Sequence, residues 1–414
     1  LATLKESVIR PAGGFVNYPL EPTLSAQAQA LVAQMTLAEK ADFCSGKDFW
    51  HLPGLERLQI PSIMVTDGPH GLRKQGKGND HLGAHRSIPA TCFPTASALA
   101  SSWDVALMQE VGEALGATCV DEDVSVLLGP GMNIKRNPLC GRNFEYFSED
   151  PFLNGHIAAN LVNGIQSQGV GACLKHFAVN NQELGRMYMD AIVDDRALRE
   201  IYLRGFEIAV KTAKPWTVMC AYNRLNGVFC SEHDWLLNTV LREEWGFDGA
   251  VMTDWGAAND RPLGVKAGLD LEMPSSGGIN DALVAQAVKD GTLDEADLDR
   301  AIARNITLSL SSLNRQKPAA PADSDAQHAL ARKAAAHSCV LLKNTDRVLP
   351  LSAQTRVALI GAFAETPRFQ GAGSSQVRPT RVETLRAALG EYINDLTYAP
   401  GYDPAARQPA PTLI

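Results

Sequence analysis

The chain repeats one pattern, in which a short apolar run ends abruptly in polar residues and a stretch with helical periodicity follows. The clearest apolar runs lie at 63–66, 124–128, 171–174, 217–221, 249–253 and 268–273. Between them, residues 195–213 and 234–245 have the apolar spacing of amphipathic helices. The runs predict buried strands, and their alternation with helices predicts a parallel α/β architecture.

Polar side chains follow several of these predicted strands. Asp67, Lys175, Tyr222 and Asp254 each come where an apolar run ends. In a closed β/α barrel the active site lies at the carboxyl ends of the strands, which is where these residues fall. We therefore predict a TIM-like (β/α)8 barrel with an N-terminal extension over residues 1–312. An open doubly wound sheet uses the same strand ends and remains the alternative.

A change of composition separates this region from the rest of the chain. Residues 313–325 are rich in Pro, Ala and polar residues and predict an inter-domain linker. Beyond it, 326–342 has a helical pattern, 357–361 that of a strand and 384–392 that of another helix. These few elements predict the incomplete first part of a second α/β domain.

Composition limits the classes of binding partner that we expect. A formal net charge of −8 argues against nucleic acid and anionic membranes, because phosphate binding needs a basic face. No apolar stretch approaches the roughly 20 residues of a membrane-spanning helix. We expect a soluble protein, cytoplasmic rather than periplasmic or secreted, and a homodimer is compatible with the sequence. The eight cysteines include no CxxC pair, so most are expected to be core residues; an oxidising compartment would allow a Cys220–Cys230 disulfide.

One strand end carries a carboxylate beside an indole. Asp254 and Trp255 lie in the segment VMTDWG, directly after an apolar run. A carboxylate there can attack the anomeric carbon of a sugar, and an indole can stack on a pyranose face. Taken alone, such an Asp is more often a helix N-cap next to a core Trp.

Other strand ends supply the donors and acceptors that sugar hydroxyls need. Asp67 and Arg73 are the first and last residues of the glycine-rich segment DGPHGLR. Arg142 lies in GRNFE, and Lys175 and His176 are consecutive residues at another strand end. Arg offers a planar fork of donors, and Lys a point charge. Their convergence at one end of a barrel indicates a sugar site, although any single pair would also suit an ordinary salt bridge.

Longer segments support this interpretation. The most specific are DGPHGLR (67–73), LLGPGMNIKRNPLCGRNFEYFSEDP (127–151), KHFAVNNQE (175–183), MCAYNRLNG (219–227), GFDGAVMTDWGA (246–257) and AGLDLEMP (267–274). With AAAHSCVLLKN (334–344) and QGAGSS (370–375), they resemble glycoside hydrolase family 3 from about residue 33 to residue 402. The resemblance implies a TIM-like barrel followed, at 326–414, by the beginning of an α/β-sandwich domain.

The resemblance also implies roles for single residues. Asp254 corresponds to the catalytic nucleophile of a retaining enzyme. The positions that match residues holding the glycone are Asp67, Arg142, Lys175, His176 and Tyr222. Trp255 matches an aromatic wall near the aglycone, while Met219 and Arg73 line or support the pocket, Arg73 equally well by bracing its loop.

A retaining glycosidase also needs a second carboxyl group, about 5–5.5 Å from the nucleophile, as acid/base. In the resembled family this is a Glu of the second domain, but Glu365, Glu383 and Glu391 lie in unrelated contexts. We therefore expect the acid/base outside this chain, on a C-terminal remainder of the same protein that acts as its partner. The His–Asp alternative of the N-acetylglucosaminidase branch needs a KHFPGHG-like loop, which KHFAVNNQE is not.

The predicted function is exo-acting release of terminal β-D-glucose from β-glucosides or oligosaccharides. The alternatives are a β-xylosidase of the same family, which often carries Cys after the nucleophile, and an inactive sugar-binding fragment. No cofactor and no metal are implied. His81 and His85 have the spacing of a metal pair but no third ligand, and Gly371-Ala-Gly373 is interpreted as a turn or as a loop lining the cleft between domains.

Overall fold

Five of the apolar runs form one curved parallel sheet in the computed structural model, which describes residues 16–76, 85–315, 321–403 and 405. The strands are β1 (Met64–Asp67), β2 (Val124–Leu128), β3 (Gly171–Phe177), β4 (Thr217–Cys220) and β5 (Ala250–Thr253). Every residue of β2 to β5 is buried, as expected for strands covered on both faces.

The order of these strands distinguishes the two predicted architectures. Along the sheet they follow the order of the chain, and each neighbouring pair is parallel. A doubly wound sheet has a point at which the strand order reverses, whereas a barrel is wound in one direction. The TIM-like prediction is confirmed, and the doubly wound alternative is wrong for this sheet.

The sheet continues beyond β5 without forming regular ladders. The sixth apolar run makes only the single parallel bridges Met252–Leu271 and Ser45–Glu272. On the other side, the amide of Val65 donates to the carbonyl of Trp50 at 2.8 Å. Within the described residues the ring therefore has five paired strands and a side joined by isolated hydrogen bonds, in place of eight regular strands.

Side chains take over part of the missing backbone pairing on this side. Arg261, buried, donates from Nη2 to the carbonyl of Cys44 at 2.9 Å. Asn305 donates from Nδ2 to the carbonyls of Phe43 and Asp270, each at 3.0 Å. Buried carbonyls need partners wherever a ladder is absent, and these amide and guanidinium groups provide them.

Helices surround the sheet. Those of the first domain are Pro22–Val32, Leu37–Asp42, Ala96–Ser101, Val105–Asp121, Pro151–Ser167, Asp195–Ala197, Arg204–Ala213, Arg261–Ala267, Ile279–Lys289 and Glu295–Ser311. The predicted helices at 195–213 and 234–245 are confirmed, with an unforeseen widening to π-type hydrogen bonding over Leu198–Tyr202 and Trp235–Glu244. No helix among the described residues has the length and apolarity to cross a membrane.

The second domain contributes one βαβ unit and a long helix. Strands β6 (Arg356–Ile360) and β7 (Asp395–Ala399) pair in parallel, and the helix Leu385–Gly390 lies between them in the chain. The long helix runs over Ser324–His337. It begins inside the predicted linker and ends at His337, five residues before the predicted limit of 342. The apolar residues 340–342 that follow are exposed and not helical.

The long helix fastens the second domain to the barrel. Gln327 donates from Nε2 to the carbonyl of Ala114 at 3.0 Å, and Lys333 pairs with Glu110 at 2.7 Å. By contrast, Leu342 of the segment that follows is 91% exposed. Apolar surface of this domain is therefore uncovered in the described part of the chain. The domain boundaries at 312 and 326 stay a prediction.

All eight cysteines are free thiols. Cys220 and Cys230 are both buried, and no disulfide joins them. Burial raises the pKa of Cys44 to about 12, as it does for Cys119, so these groups are unreactive. The expectation that most cysteines are small core residues is confirmed.

A buried carboxylate stabilises the irregular side of the sheet. Asp270 is fully buried and accepts from Arg242 Nη2 at 2.6 Å, from Arg304 Nη1 at 3.0 Å and from the amide of Val251 at 2.7 Å. Burial lowers the pKa of Arg242 to about 10, although Asp270 opposes this change. The three donors hold both carboxylate oxygens, so this group organises the edge beyond β5.

Replacing this carboxylate tests its contribution. We expect Asp270→Asn to lower the free energy of unfolding by about 3 kcal/mol, because breaking a buried pair leaves Arg242 buried without its partner. Urea denaturation of both proteins measures the difference. The matched control is Glu200→Gln, whose pair with Arg196 is exposed and worth at most about 0.5 kcal/mol. A change below about 1 kcal/mol for Asp270→Asn would contradict this assignment.

Candidate active site

A cavity of about 320 Å³ opens at the carboxyl ends of the strands. Eight of the nine residues predicted for the site line it, namely Asp67, Arg142, Lys175, His176, Met219, Tyr222, Asp254 and Trp255. Larger cavities of about 620 and 940 Å³ lie elsewhere, but neither is lined by buried ion pairs. The cavity falls in the usual size range of ligand sites, about 300–1,000 Å³.

Asp254 directly follows β5 and lies beside β4. Its amide donates to the carbonyl of Cys220 at 3.2 Å, and its Oδ1 accepts from the amide of Trp255 at 2.8 Å. Its Oδ2 is buried and has no hydrogen-bond partner among the described residues. An unpaired buried carboxylate oxygen is costly, so this position suits a group that gains a partner when a ligand arrives.

His176 lies opposite this oxygen. Its Nε2 is 3.6 Å from Asp254 Oδ2, while its Nδ1 lies 3.2 Å from the hydroxyl of Tyr146 and 3.3 Å from Asn133 Oδ1. Burial lowers the pKa of His176 far below its ordinary value, and the charges of Arg142 and Lys175 lower it further. The imidazole is therefore neutral at neutral pH.

Arg142 is held by a carboxylate of its own turn. Its Nε donates to Glu145 Oε1 at 2.5 Å, and both groups are largely buried. Burial by itself would raise the pKa of Glu145, but Arg142 and Lys175 outweigh this effect and lower it. Glu145 is thus a functional residue that the sequence reasoning missed. The available signal was its spacing, three residues after Arg142 in GRNFE.

Asp67 connects two cations of the site. Its Oδ1 lies 3.3 Å from Lys175 Nζ, and its Oδ2 lies 3.7 Å from Arg73 Nη1. The amide of Arg73 also donates to the carbonyl of Asp67 at 2.9 Å, which closes the loop between them. Arg73 is only 1% exposed and does not line the cavity, so of its two expected roles the geometry supports bracing.

The buried charges of this region balance. The carboxylates are Asp67, Glu145 and Asp254, and the cations are Arg73, Arg142 and Lys175. A buried charge without a partner costs several kcal/mol. With three charges of each sign and a neutral His176, the cluster has no net charge. The arrangement provides fixed donors and acceptors around the cavity.

Aromatic rings form one wall of the cavity. Trp255 donates from Nε1 to the carbonyl of Phe49 at 2.9 Å, and its ring lies 5.3 Å from that of Trp50. The Tyr222 hydroxyl donates to the carbonyl of Trp255 at 2.9 Å, and Arg186 lies over the Tyr222 ring at 4.6 Å. The sequence reasoning missed Phe49, Trp50 and Arg186, which lie far from Asp254 in the chain.

The second domain closes the remaining side. Residues 372–375 line the cavity, which confirms the interpretation of this glycine-containing segment as a loop of the inter-domain cleft. Glu365 pairs with Arg386 and Glu383 with His328, both away from the cavity. No lining residue among the described part of the second domain carries a carboxyl group.

The expectation of no metal site concerns His81 and His85. His81 lies outside the described residues. Within the described ranges, no group of three or more His, Cys, Asp or Glu has a geometry that would hold a metal ion.

His70, in the loop between Asp67 and Arg73, makes stability depend on pH. Burial lowers its pKa to about 4, although Glu145 and Gln370 act in the opposite direction. The unfolded chain has a His pKa near 6.5, so between pH 6.5 and 4 the unfolded state binds more protons. Folding stability is therefore lost as pH falls through this window.

We expect His70→Asn to flatten this dependence by about 1 kcal/mol per pH unit near pH 5. Urea denaturation of both proteins at pH 5, 6 and 8 measures it. Above pH 7 neither state of His70 binds the proton, so the two slopes should coincide there and provide the internal control. Identical slopes at pH 5 would show that His70 is not held neutral by the fold.

Comparison with known proteins identifies the family to which the chain is similar. The chain matches the glycosyl hydrolase family 3 N terminal domain over residues 54–308 and the C-terminal domain of that family over 339–411. It is 57% identical to the thermostable beta-glucosidase B of Acetivibrio thermocellus over 92% of this chain and 51% of that protein. It is 50% identical to an exo-alpha-(1->6)-L-arabinopyranosidase of Bifidobacterium longum over 90% of this chain and 50% of that protein.

A solved structure is similar over the same extent. Beta-glucosidase 3B of Thermotoga neapolitana, in complex with alpha-D-glucose, superposes with a TM-score of 0.83 at 40% identity, over 90% of this chain and 55% of that one. The chain thus spans about half the length of the relatives that it matches. With the family models covering most of its length, the chain belongs to glycoside hydrolase family 3.

Proposed function

We propose that the chain carries the nucleophile and the glycone pocket of a retaining, exo-acting β-glucosidase. The observation that carries this proposal is the buried, unpaired Oδ2 of Asp254, which lies beside a monosaccharide-sized cavity lined with fixed charges. A relative named beta-glucosidase at 57% identity and a similar structure with bound glucose support it. The substrate is a β-glucoside or oligosaccharide from which terminal glucose is released.

The reaction follows from the residues in place. Asp254 attacks the anomeric carbon as the glycosidic bond breaks, and the aglycone leaves with a proton from the acid/base that this proposal places on the C-terminal remainder. Water, deprotonated by the same acid/base, then attacks the covalent glycosyl-enzyme and frees Asp254 and the sugar with net retention. Asp67, Arg142 and Lys175 hold the hydroxyls of the glycone, and their hydrogen bonds strengthen as the oxocarbenium-like transition state develops. Neutral His176 adds a hydrogen-bonding nitrogen without adding charge.

The walls of the cavity favour exo action. Trp255 is fixed by its hydrogen bond to Phe49 and by packing against Trp50, so it offers a rigid apolar face. Residues 372–375 close the opposite side. A space of about 320 Å³ bounded in this way suits one sugar ring at a chain end, with Trp255 towards the aglycone.

The acid/base belongs, in this proposal, to a C-terminal remainder of the same protein. The relatives are about twice as long as the matched region, which leaves room for it. The exposed apolar residues Val340, Leu341 and Leu342, at 62%, 63% and 91%, offer that remainder a surface to cover. The absence of nucleic-acid and membrane partners, the homodimer and the cytoplasmic location stay predictions.

A second candidate activity is the release of α-L-arabinopyranose. It is favoured by the 50% identical relative named exo-alpha-(1->6)-L-arabinopyranosidase. Arabinopyranose, like the xylose of the β-xylosidase alternative, lacks the hydroxymethyl group of glucose. Comparing sugar probes with and without that group therefore separates the glucosidase from the other two activities. Arabinosyl and xylosyl probes, which differ in the orientation of the C4 hydroxyl, separate those two, and an inactive sugar-binding fragment would react with none.

Mechanism-based labelling tests the nucleophile. We expect 2-deoxy-2-fluoro-β-glucosyl fluoride to leave one adduct on the peptide that contains Asp254, because fluoride departs without acid assistance and the labelled intermediate is slow to hydrolyse. Intact-mass and peptide mass spectrometry measure the adduct, and Asp254→Asn, which should not label, is the control. Labelling only by the arabinosyl or xylosyl probe would transfer the assignment to that activity, and labelling by no probe would leave a binding role.

Charge balance in the pocket gives a second test. We expect Glu145→Gln to lower the second-order rate constant of labelling by about 100-fold, because Arg142 loses its partner and the buried cluster gains a net positive charge. Labelling time courses at several probe concentrations measure this constant. The control Glu207→Gln removes the surface partner of Arg204 and Lys211 and should change the constant by less than about twofold. Equal constants for Glu145→Gln and the wild type would refute the role of the pair.

A further inference from the structure

A side chain closes the loop by which the second domain reaches the cavity. Gln370 donates from Nε2 to the carbonyl of Val377 at 2.9 Å and accepts at Oε1 from the amide of Val377, also at 2.9 Å. One side-chain amide thus pairs with the backbone of one residue in both directions, as a neighbouring strand would. Residues 370–377, named here the closing loop, form a ring of eight residues through this pair.

The closing loop contributes directly to the cavity. Its residues 372–375 line the space opposite Asp254, and Ser375 is only 3% exposed. Two other hydrogen bonds within the described loop hold this conformation. Ser375 Oγ donates to the carbonyl of Ala372 at 3.3 Å, and the amide of Gln376 donates to the carbonyl of Gly373 at 3.1 Å. The pair between Gln370 and Val377 adds two shorter hydrogen bonds, at 2.9 Å each, that join the two ends of the loop.

One end of the closing loop contacts the turn that carries Arg142. A Cβ atom on Gly371 would lie 2.3 Å from the ring of Phe144, so the ring rests directly on the glycine backbone. Phe144 lies between Arg142 and Glu145 in the chain and itself lines the cavity. Displacement of the loop would thus remove the backbone on which this cavity-lining ring rests.

The other end is anchored on the barrel. Val377 is 2% exposed and packs against Gly71, where a Cβ atom would lie 2.9 Å from Val377 Cγ2. Arg378–Pro379 then pairs in parallel with Pro89–Ala90. Because Val377 is fixed in this way, its two hydrogen bonds with the side chain of Gln370 also fix the start of the loop.

We propose that Gln370 is a positioning residue of the glycone pocket. Through its double hydrogen bond with Val377 it holds residues 372–375 as the second-domain wall and keeps Gly371 against Phe144. Gln370 does not line the cavity itself. This inference rests on the proposed function, because it concerns the binding of sugar to the same pocket.

The test compares three variants of the full chain. Gln370→Leu removes both hydrogen bonds to Val377 at similar volume, together with the contacts of Gln370 to His70 and Cys92, and Gln370→Glu keeps an acceptor for the amide of Val377 but loses the donor. The matched control is Gln376→Leu in the same loop, whose exposed side chain has no hydrogen bond within the described residues. Labelling by 2-deoxy-2-fluoro-β-glucosyl fluoride gives the probe's Ki and the maximal labelling rate separately, and thermal unfolding reports the fold.

We expect Gln370→Leu to raise the probe's Ki about tenfold, the factor that corresponds to losing one or two net hydrogen bonds of the bound conformation. Gln370→Glu should raise it as well, because its second carboxylate oxygen would face the carbonyl of Val377 without donating to it. The maximal rate should change by less than about threefold in both variants, because Asp254 is untouched. The Gln376→Leu control should match the wild type in Ki, maximal rate and melting temperature.

The outcomes separate this inference from the proposed function. A wild-type chain that no glucosyl probe labels would refute the β-glucosidase proposal. A wild type that labels at Asp254, together with an unchanged Ki in Gln370→Leu, would overturn the positioning role alone. A loss of labelling that follows the melting temperature equally in both Gln370 variants would assign Gln370 to general stability and would also overturn it.

Discussion

The site depends on the burial of ionic charge at one end of the barrel. Each buried ion costs several kcal/mol unless it is paired, so the carboxylates and cations at the strand ends must be present in equal number. Burial, together with the charges of Arg142 and Lys175, keeps His176 neutral, and Glu145 lies beside Arg142 as its partner. The requirement for pairing also explains the need for surrounding walls, because hydrogen bonds to charged groups are strongest where water is excluded.

The irregular side of the sheet serves the site in another way. Where the ladder is absent, Arg261 and Asn305 donate to the backbone carbonyls of Cys44 and Phe43. The segment 44–52 therefore needs no regular strand pairing. Its path brings Phe49 and Trp50 against Trp255.

The sequence predicts what is local and fails where distant segments meet. Strand positions and most site residues follow from apolar runs that end in polar residues, as at Asp254. Phe49 and Trp50 escaped prediction because about 200 residues separate them from Trp255. The helical pattern extends to 342 although the helix ends at His337, because apolar spacing does not show whether a neighbour buries the segment that follows. The widened turns of Trp235–Glu244 have no compositional signal.

Under the proposed function, the wall that the two domains share couples sugar affinity to domain docking. Binding and docking stabilise the same arrangement, so each must favour the other by an equal free energy. Contacts far from the cavity, such as Lys333 with Glu110, then contribute to affinity although they never meet the sugar. In the proposed function, substitutions that change the contacts between the domains would change the affinity for the sugar without altering a residue of the pocket.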